Sequence, residues 1–506
     1  MTSKEYDVLI IGGGITGVGT ARDCAMRGLT TVVVERFDLT NGATGRNHGL
    51  LHSGARYAVS DTVSARECIE ENRIIRRIAP GCVEENGGLF ITLPEDDPSY
   101  REKLISSCTA AGIEAEELDP KEALALEPSL NPALTGAVRV PDASVDPFKL
   151  TTANAVDAAQ FGAEFLTYHQ VTGFIFASGR VVGVKLTDTR TGEKKEIRAR
   201  VTVNAAGIWG HQIASLAGAD IRMLPSKGSL LIFGRRINKM VINRCRKPSD
   251  ADILVPGETV SVLGTTSSSV PFSECDDIRV TAEEVSLLLR EGSCLSPDLA
   301  KTRVLRAFAG VRPLVVSDDM TTGRSASRGI VLLDHELRDD IPGFISITGG
   351  KLTTYRRMAE LTTDLVCEKL GVNVACRTAA IMLPDTGKTE TFGEKKAARP
   401  AGFEGRPEVL CGCEHVTREE IAYAVKYLGV QNLIDLRRRT RVGMGSCQGS
   451  SCLGRVAEAL AAELGCPERA GELVRQYVQE RWKGIAPVCW GEALREAEYM
   501  RKQYGK

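Results

Sequence analysis

Residues 5–35, EYDVLIIGGGITGVGTARDCAMRGLTTVVVE, decide the fold of this chain. An apolar, β-branched run ends in three glycines. A segment with helical spacing follows, and then a second β-branched run, TTVVVE. That order is a β-α-β unit. Gly12, Gly14 and Gly17 give G-x-G-x-x-G where the first strand turns into the helix. The first glycine permits the tight turn, the second lets a pyrophosphate approach the backbone, and the third lets helix and strand pack closely. The helix N-terminus offers free N–H groups and a partial positive charge to phosphates. Glu35 closes the second strand, about 20 residues on, and can accept both hydroxyls of a ribose. Together these features predict a dinucleotide site; a tight structural turn is the bland reading of the glycines alone.

The segments downstream choose between dinucleotides. After the second strand comes NGATGRNHGLLHSGARY, residues 41–57, rich in Gly, Thr and His, where a nicotinamide enzyme would continue its β-α-β series. Such a segment suits a chain running along an extended flavin, with Thr44 among its contacts. VTVNAAGIWG, 201–210, is a strand ending in small residues, and Ala206 and Gly207 would let backbone approach the cofactor. ISITGGKLTTYRRMAE, 345–360, repeats the strand–glycine–helix arrangement and offers Gly350, Lys351 and Thr353. Their order favours FAD. Further strands are expected at 180–187, 199–204 and 229–233.

The totals set outer limits. The chain has 506 residues, 43% apolar and 25% charged, with a net charge of −1. That length suggests roughly three domains, and the charge balance argues against nucleic acid as a partner. The opening MTSKEYDVLIIGGG lacks the order of a signal peptide, and there is no apolar run of about 18 residues. Residues 384–407, PDTGKTETFGEKKAARPAGFEGRP, nearly lose aliphatic side chains and read as a linker. The expected division is an FAD-dependent oxidoreductase over 1–380, the linker over 384–407, a metal-binding module over 408–460 and a helical extension over 461–506.

Of 15 cysteines, eleven are scattered and read as idle thiols. Cys411, Cys413, Cys447 and Cys452 form a compact set, Cys-x-Cys, 33 intervening residues, then Cys-x4-Cys. Four thiolates suit a 2Fe-2S cluster. Gly412, Gly443, Gly445 and Gly449 let the loops turn and aim N–H groups at sulfur. Zinc is the main rival, although its usual pairs are Cys-x2-Cys; disulfides are the lesser one. The spacing resembles the bacterioferritin-associated-ferredoxin-type module. A basic run, DLRRRTR, with Arg437, Arg438, Arg439 and Arg441, reads either as solvated helix-end charge or as a means of offsetting cluster charge or docking a partner.

Several stretches resemble the FAD-dependent glycerol-3-phosphate dehydrogenases, and most of all the catalytic A subunits of the anaerobic bacterial enzymes. They are GATGRNHGLLHSGARYAV, NRCRKPSDADILVPG, GVRPLV, SRGIVLLDH, ITGGKLTTYR and DLRRRTRVGMGSCQG. The resemblance runs from about residue 5 to about 500. It implies a D-amino-acid-oxidase-like fold: α/β, with a Rossmann-like FAD-binding domain interleaved with an α+β substrate domain, followed by a small helical 2Fe-2S domain. It implies oxidation of sn-glycerol 3-phosphate to dihydroxyacetone phosphate, with electrons leaving through FAD and the 2Fe-2S cluster toward the quinone pool. The implied partners are two further subunits, one a second flavoprotein and the other a membrane-bound iron–sulfur protein. The implied location is cytoplasmic, at the inner face of the cell membrane through those partners.

A phosphate ester carries roughly −1.5 to −2 charges at neutral pH. It calls for fixed cations, and the guanidinium fork matches its oxygens. At the positions the resemblance implies, Arg312 in GVRPLV and Arg328 in SRGIVLLD look like phosphate clamps, with Arg324 able to stand in for Arg328. Arg56 and Lys351 would add positive charge. His52 is the choice for proton acceptor, since a histidine titrates near neutrality, and His48 could replace it. Each of these also has a structural reading, as surface charge, turn support or packing, the last favoured for Tyr57. Two other functions fit less well: a flavin-dependent amine or amino-acid dehydrogenase, and a non-catalytic flavin and iron–sulfur electron carrier.

Overall fold

The computed structural model describes residues 4–315, 329–384 and 408–504. The opening unit forms as its sequence dictates: β1 (Glu5–Ile11), α1 (Ile15–Met26) and β2 (Thr31–Val34). β1 and β2 are nearly continuous apolar runs because both their faces are covered. β1 lies between β2 and the strand Lys194–Asn204, parallel to both, and Phe344–Gly349 extends the parallel set beyond Asn204. An antiparallel pair, His169–Ala177 and Arg180–Asp188, completes one side of this eight-stranded sheet. The strands expected at 180–187 and 199–204 are therefore members of it.

The strand expected at 229–233 is the end of a longer one, Met223–Phe233, in a second, nine-stranded sheet. That sheet is mostly antiparallel. Its longest pairing joins Met223–Phe233 to Val304–Val315, with Ser226 opposite Arg312 and Gly228 opposite Gly310. The described strands of this sheet run from Gly88–Thr92 to Val304–Val315, with strands of the first sheet before, between and after them, so two domains are woven from interleaved segments.

The C-terminal module begins with a two-stranded ribbon, Val409–Cys411 and Val416–Thr417. The helix Arg418–Leu428 follows, opened by a capping box of Thr417 and Glu420. Helices Leu433–Thr440, Leu453–Glu463 and Ala470–Ile485 pack on it around Leu436, Leu460, Leu473 and Tyr477. Ala470–Ile485 thus shares a core with the cysteine-bearing loops, across the boundary expected at 460. Its far end crosses to the second sheet. Val488 sits in that sheet's core, and a Cβ on Gly484 would stand 2.5 Å from the Ala307 carbonyl oxygen. Of the linker, only Pro384 lies within the described residues. Among the described residues no helix is long and apolar enough to cross a membrane.

Candidate functional site

A single cleft of about 1470 Å³ runs between the two sheets. It exceeds the roughly 300–1,000 Å³ of a drug-sized pocket and has room for a dinucleotide beside a small substrate. Gly12, Gly14, Ile15 and Thr16 form its floor at the N-terminus of α1. Gly12 has φ +117°, and a Cβ there would lie 2.5 Å from the carbonyl oxygen of Ala205. Gly17 does not reach the cleft; it lies beneath the loop, where a Cβ would stand 2.0 Å from the Gly12 carbonyl oxygen. Two loops cross at van der Waals limits here, which is why glycine is required.

α1 has no side-chain cap of its own. Thr44 supplies one from a distance: its Oγ1 accepts the Ile15 N–H at 3.1 Å. Glu35 accepts the N–H groups of Gly13 and Phe37, at 2.7 and 2.9 Å. Burial raises its carboxyl above the ordinary range, and those two N–H groups oppose the rise. Around Glu35 the wall is formed by Arg36, His169, Val171 and Trp209. The Trp209 Nε1 is buried there without a hydrogen-bond partner among the described residues. Ala206 and Gly207 line the next stretch, Gly207 at φ +57°. Gly350 (φ +63°) and Lys351 line the far part. These features fit an FAD: a glycine cradle that a Cβ would fill, a helix N-terminus aimed into a long cleft, and an unpaired indole N–H.

The residues expected to act on substrate share that cleft. His48, His52, Arg56, Tyr57, Arg312 and Lys351 all line it. The rings of His52 and Tyr57 are 5.4 Å apart, and the Lys351 ammonium sits 4.8 Å over Tyr57. Tyr57 is thus the contact that joins His52 to Lys351. His48 Nδ1 accepts the Leu50 N–H at 3.3 Å. Thr353 is fully buried behind the cleft; its Oγ1 accepts the His52 N–H at 3.2 Å, so it holds the histidine's backbone and does not face the cavity. Arg56 donates to buried Asp252 at 3.2 Å, while its Nη1 is buried without a partner among the described residues. Arg312 lies flat against Gly228 and donates to Ser226 Oγ, Thr265 Oγ1 and the carbonyls of Lys227 and Thr266. Arg324 and Arg328 lie outside the described residues. Sequence reasoning misses Thr265, Thr266 and Asp252, because nothing local marks the partners of a distant arginine.

The four cysteines come together in two pairs. The thiols of Cys411 and Cys452 are within hydrogen-bonding reach of each other, as are those of Cys413 and Cys447. The Cys452 thiol, with the N–H groups of Gly443 and Glu414, brings the Cys411 thiol down to about 6 against its burial. Gly445 leaves room for Cys413, whose Cβ would stand 2.5 Å from a Cβ on residue 445. By contrast, burial pushes the scattered thiols of Cys68, Cys82 and Cys108 up to about 12. All 15 cysteines are free of disulfides. Two thiol pairs with backbone N–H donors to sulfur fit a four-thiolate 2Fe-2S centre.

Comparison with known proteins agrees with this geometry. Residues 7–356 match the family model of FAD dependent oxidoreductases, and residues 409–462 match that of BFD-like [2Fe-2S] binding domains. The A subunit of the anaerobic glycerol-3-phosphate dehydrogenase of Escherichia coli is 55% identical over 99% of this chain and 96% of its own length. The chain belongs to the family of these A subunits. The Haemophilus influenzae member is 51% identical over 100% of this chain and 93% of its own, and the A1 member from Haloferax volcanii 46% over 97% and 88%. Among solved structures, the glycerol-3-phosphate dehydrogenase of Bacillus halodurans, complexed with FAD, superposes with a TM-score of 0.58 at 24% identity, covering 100% of this chain and 92% of that one. Glycine oxidase from Geobacillus kaustophilus gives 0.61 at 23% identity over 75% and 99%. At those identities both show the shared fold alone. The family's cofactors are FAD and a 2Fe-2S cluster, each matched here by residues that fit it.

Proposed function

We propose that this chain oxidises sn-glycerol 3-phosphate to dihydroxyacetone phosphate and passes the electrons through its own iron–sulfur module to a partner. The observation that carries the reading is the large cleft whose floor is the glycine loop of α1 and whose walls carry His52, Arg56, Lys351 and Arg312. When bound, FAD accepts a hydride and the 2Fe-2S cluster takes electrons one at a time. The chain's own residues do the rest. Arg312, Arg56 and Lys351 hold the phosphate from separate elements and so orient the ester. His52 removes the proton of the C2 hydroxyl, its position set by Thr353 behind it and Tyr57 beside it. Arg312 is held by four protein contacts before any ligand arrives, so it loses little freedom on binding.

In the cluster module, Cys411 and Cys452 are buried and Cys413 and Cys447 half-buried. The outer pair faces the next carrier. The A-subunit names of the relatives support a multi-subunit assembly. Its further members are a second flavoprotein and a membrane-bound iron–sulfur protein that reduces quinone, which would hold this chain at the inner face of the membrane. The test is anaerobic addition of glycerol 3-phosphate to the FAD- and iron-loaded protein while the flavin and iron–sulfur bands are followed together. Both should bleach, the flavin first. Bleaching by glycine, sarcosine or proline and not by glycerol 3-phosphate would overturn the reading.

A further inference from the structure

A second, smaller cavity of about 110 Å³ lies where three parts of the molecule meet. Its walls are the flavin-domain loop around Thr40–Arg46, the strand segment Arg306–Ala309, and the helices carrying Arg437 and Arg481. Six cations line it, Arg46, Arg306, Arg437, Arg438, Arg481 and Lys483, against three carboxylates, Asp276, Asp277 and Glu480. The carboxylates are already engaged. Asp276 pairs with Arg36, Asp277 with Arg279 and Lys483, and Glu480 with Lys483. Arg438 is taken by Asp38, and Arg481 donates to the Gln448 carbonyl at 2.8 Å.

That leaves Arg46, Arg306 and Arg437. Among the described residues none of these three side chains makes a hydrogen bond or an ion pair, and the Nε atoms of Arg306 and Arg437 are buried without a partner. Arg306 touches only a ring face, that of Phe308, at 5.5 Å. Burial draws Arg46 and Arg437 below the ordinary arginine range, and the nearby carboxylates, Glu480 above all, only partly oppose the fall. A buried donor without a partner is costly, and six cations around a cavity with three carboxylates leave an excess of positive charge there.

We propose that this cavity binds one tetrahedral oxyanion, of the phosphate class, at the seam between the flavin loop and the cluster module. Its volume is less than a tenth of the large cleft's, on the scale of a free oxyanion and not of a dinucleotide. Guanidinium groups present paired N–H donors that match oxyanion oxygens, and a tetrahedral anion offers enough acceptors for three forks. The anion would tie Arg46, two residues from the helix-capping Thr44, to Arg437 on the cluster side. This inference does not rest on the substrate reading, since neither Arg306 nor Arg437 lines the large cleft.

The experiment is equilibrium dialysis of the FAD- and iron-loaded full chain against radiolabelled orthophosphate, at ionic strength held constant with chloride. Any phosphate bound in the large cleft is common to wild type and variants. Arg437→Gln and Arg306→Gln should each weaken one phosphate site by about tenfold or more and leave the KM for glycerol 3-phosphate unchanged. Orthophosphate should also raise the Tm of the wild type, and not of the variants, above that in matched chloride. Competition by glycerol 3-phosphate separates the head of an ester from a free oxyanion, the latter being expected. If the wild type binds no phosphate, or if both variants bind as it does, the proposal fails. If Arg437→Gln does not retain FAD, Arg306→Gln on the opposite wall decides by the same criteria. Whether glycerol 3-phosphate reduces the flavin is read separately and leaves the phosphate count unaffected.

Discussion

Asp38 and Arg439, 401 residues apart in the chain, form a buried bidentate ion pair, Nη1 and Nη2 reaching the carboxylate at 3.1 and 2.5 Å, with side chains 1% and 2% exposed. Arg438 shares the same carboxylate at 3.2 Å and also donates to Asn41 at 2.6 Å. Asn41 lines the large cleft. One carboxylate therefore fastens the helix next to the cluster loops to the loop that runs along the flavin site. Two arginines bring the Asp38 carboxyl below its ordinary value despite its burial.

Removing that carboxylate strands two arginines. Asp38→Ala should destabilise the protein by roughly 3–5 kcal/mol, the cost of breaking a buried pair from one side, measured by chemical denaturation of the loaded protein. Replacing all three residues together with apolar ones of similar size should recover most of the loss. If the single substitution costs less than about 1 kcal/mol, the contact does not hold the module.

The same seam has a pH signature. Asp435 accepts the Tyr168 hydroxyl at 2.6 Å, and burial with the neighbouring Asp38 charge raises its carboxyl to about 6. The folded value lies above the unfolded one, so the protonated form favours folding. That contribution is complete below about pH 4 and is lost as pH rises through about 6. Wild type should gain on the order of 2 kcal/mol relative to Asp435→Asn between about pH 7 and about pH 4.5. Parallel stability curves for the two proteins would show that Asp435 does not titrate there.

His52→Ala should slow flavin reduction by glycerol 3-phosphate by about 10²–10⁴-fold, the usual contribution of a positioned base. FAD content should be retained, because the glycine loop and Thr44 are untouched. Anaerobic stopped-flow absorbance reads both. An unchanged rate would move the proton acceptor to His48, whose ring lies 6.0 Å away.

Arg312→Lys keeps the charge and loses the fork. It should raise the KM for glycerol 3-phosphate about 10- to 100-fold, in line with the loss of charge-assisted hydrogen bonds. Oxidation of unphosphorylated glycerol, measured at high concentration, should change far less. Equal losses on both substrates would mean that Arg312 serves only to hold Thr265 and Thr266.

The sequence by itself determined the parts whose physics is local. A β-branched run, three glycines and a helical spacing are enough to specify β1, α1 and β2, because strand pairing, a tight turn and helix packing constrain neighbours within a few residues. The cysteine spacing likewise announced its module, while His52, Arg56, Arg312, Arg328 and Lys351 were legible only through the resemblance of their motifs to a known family. Only the tertiary structure decided what faces what. It made Arg438, Arg439 and Arg441 of the basic run, legible in sequence only as solvated charge or as charge offsetting a cluster or docking a partner, a clamp on Asp38 and Asp146, set Thr353 behind the cleft, and gathered Arg46, Arg306 and Arg437 around one cavity with an excess of cations. A side chain's charge is written in the chain, but its energy depends on which distant groups share its burial, and that is known only after the elements have packed.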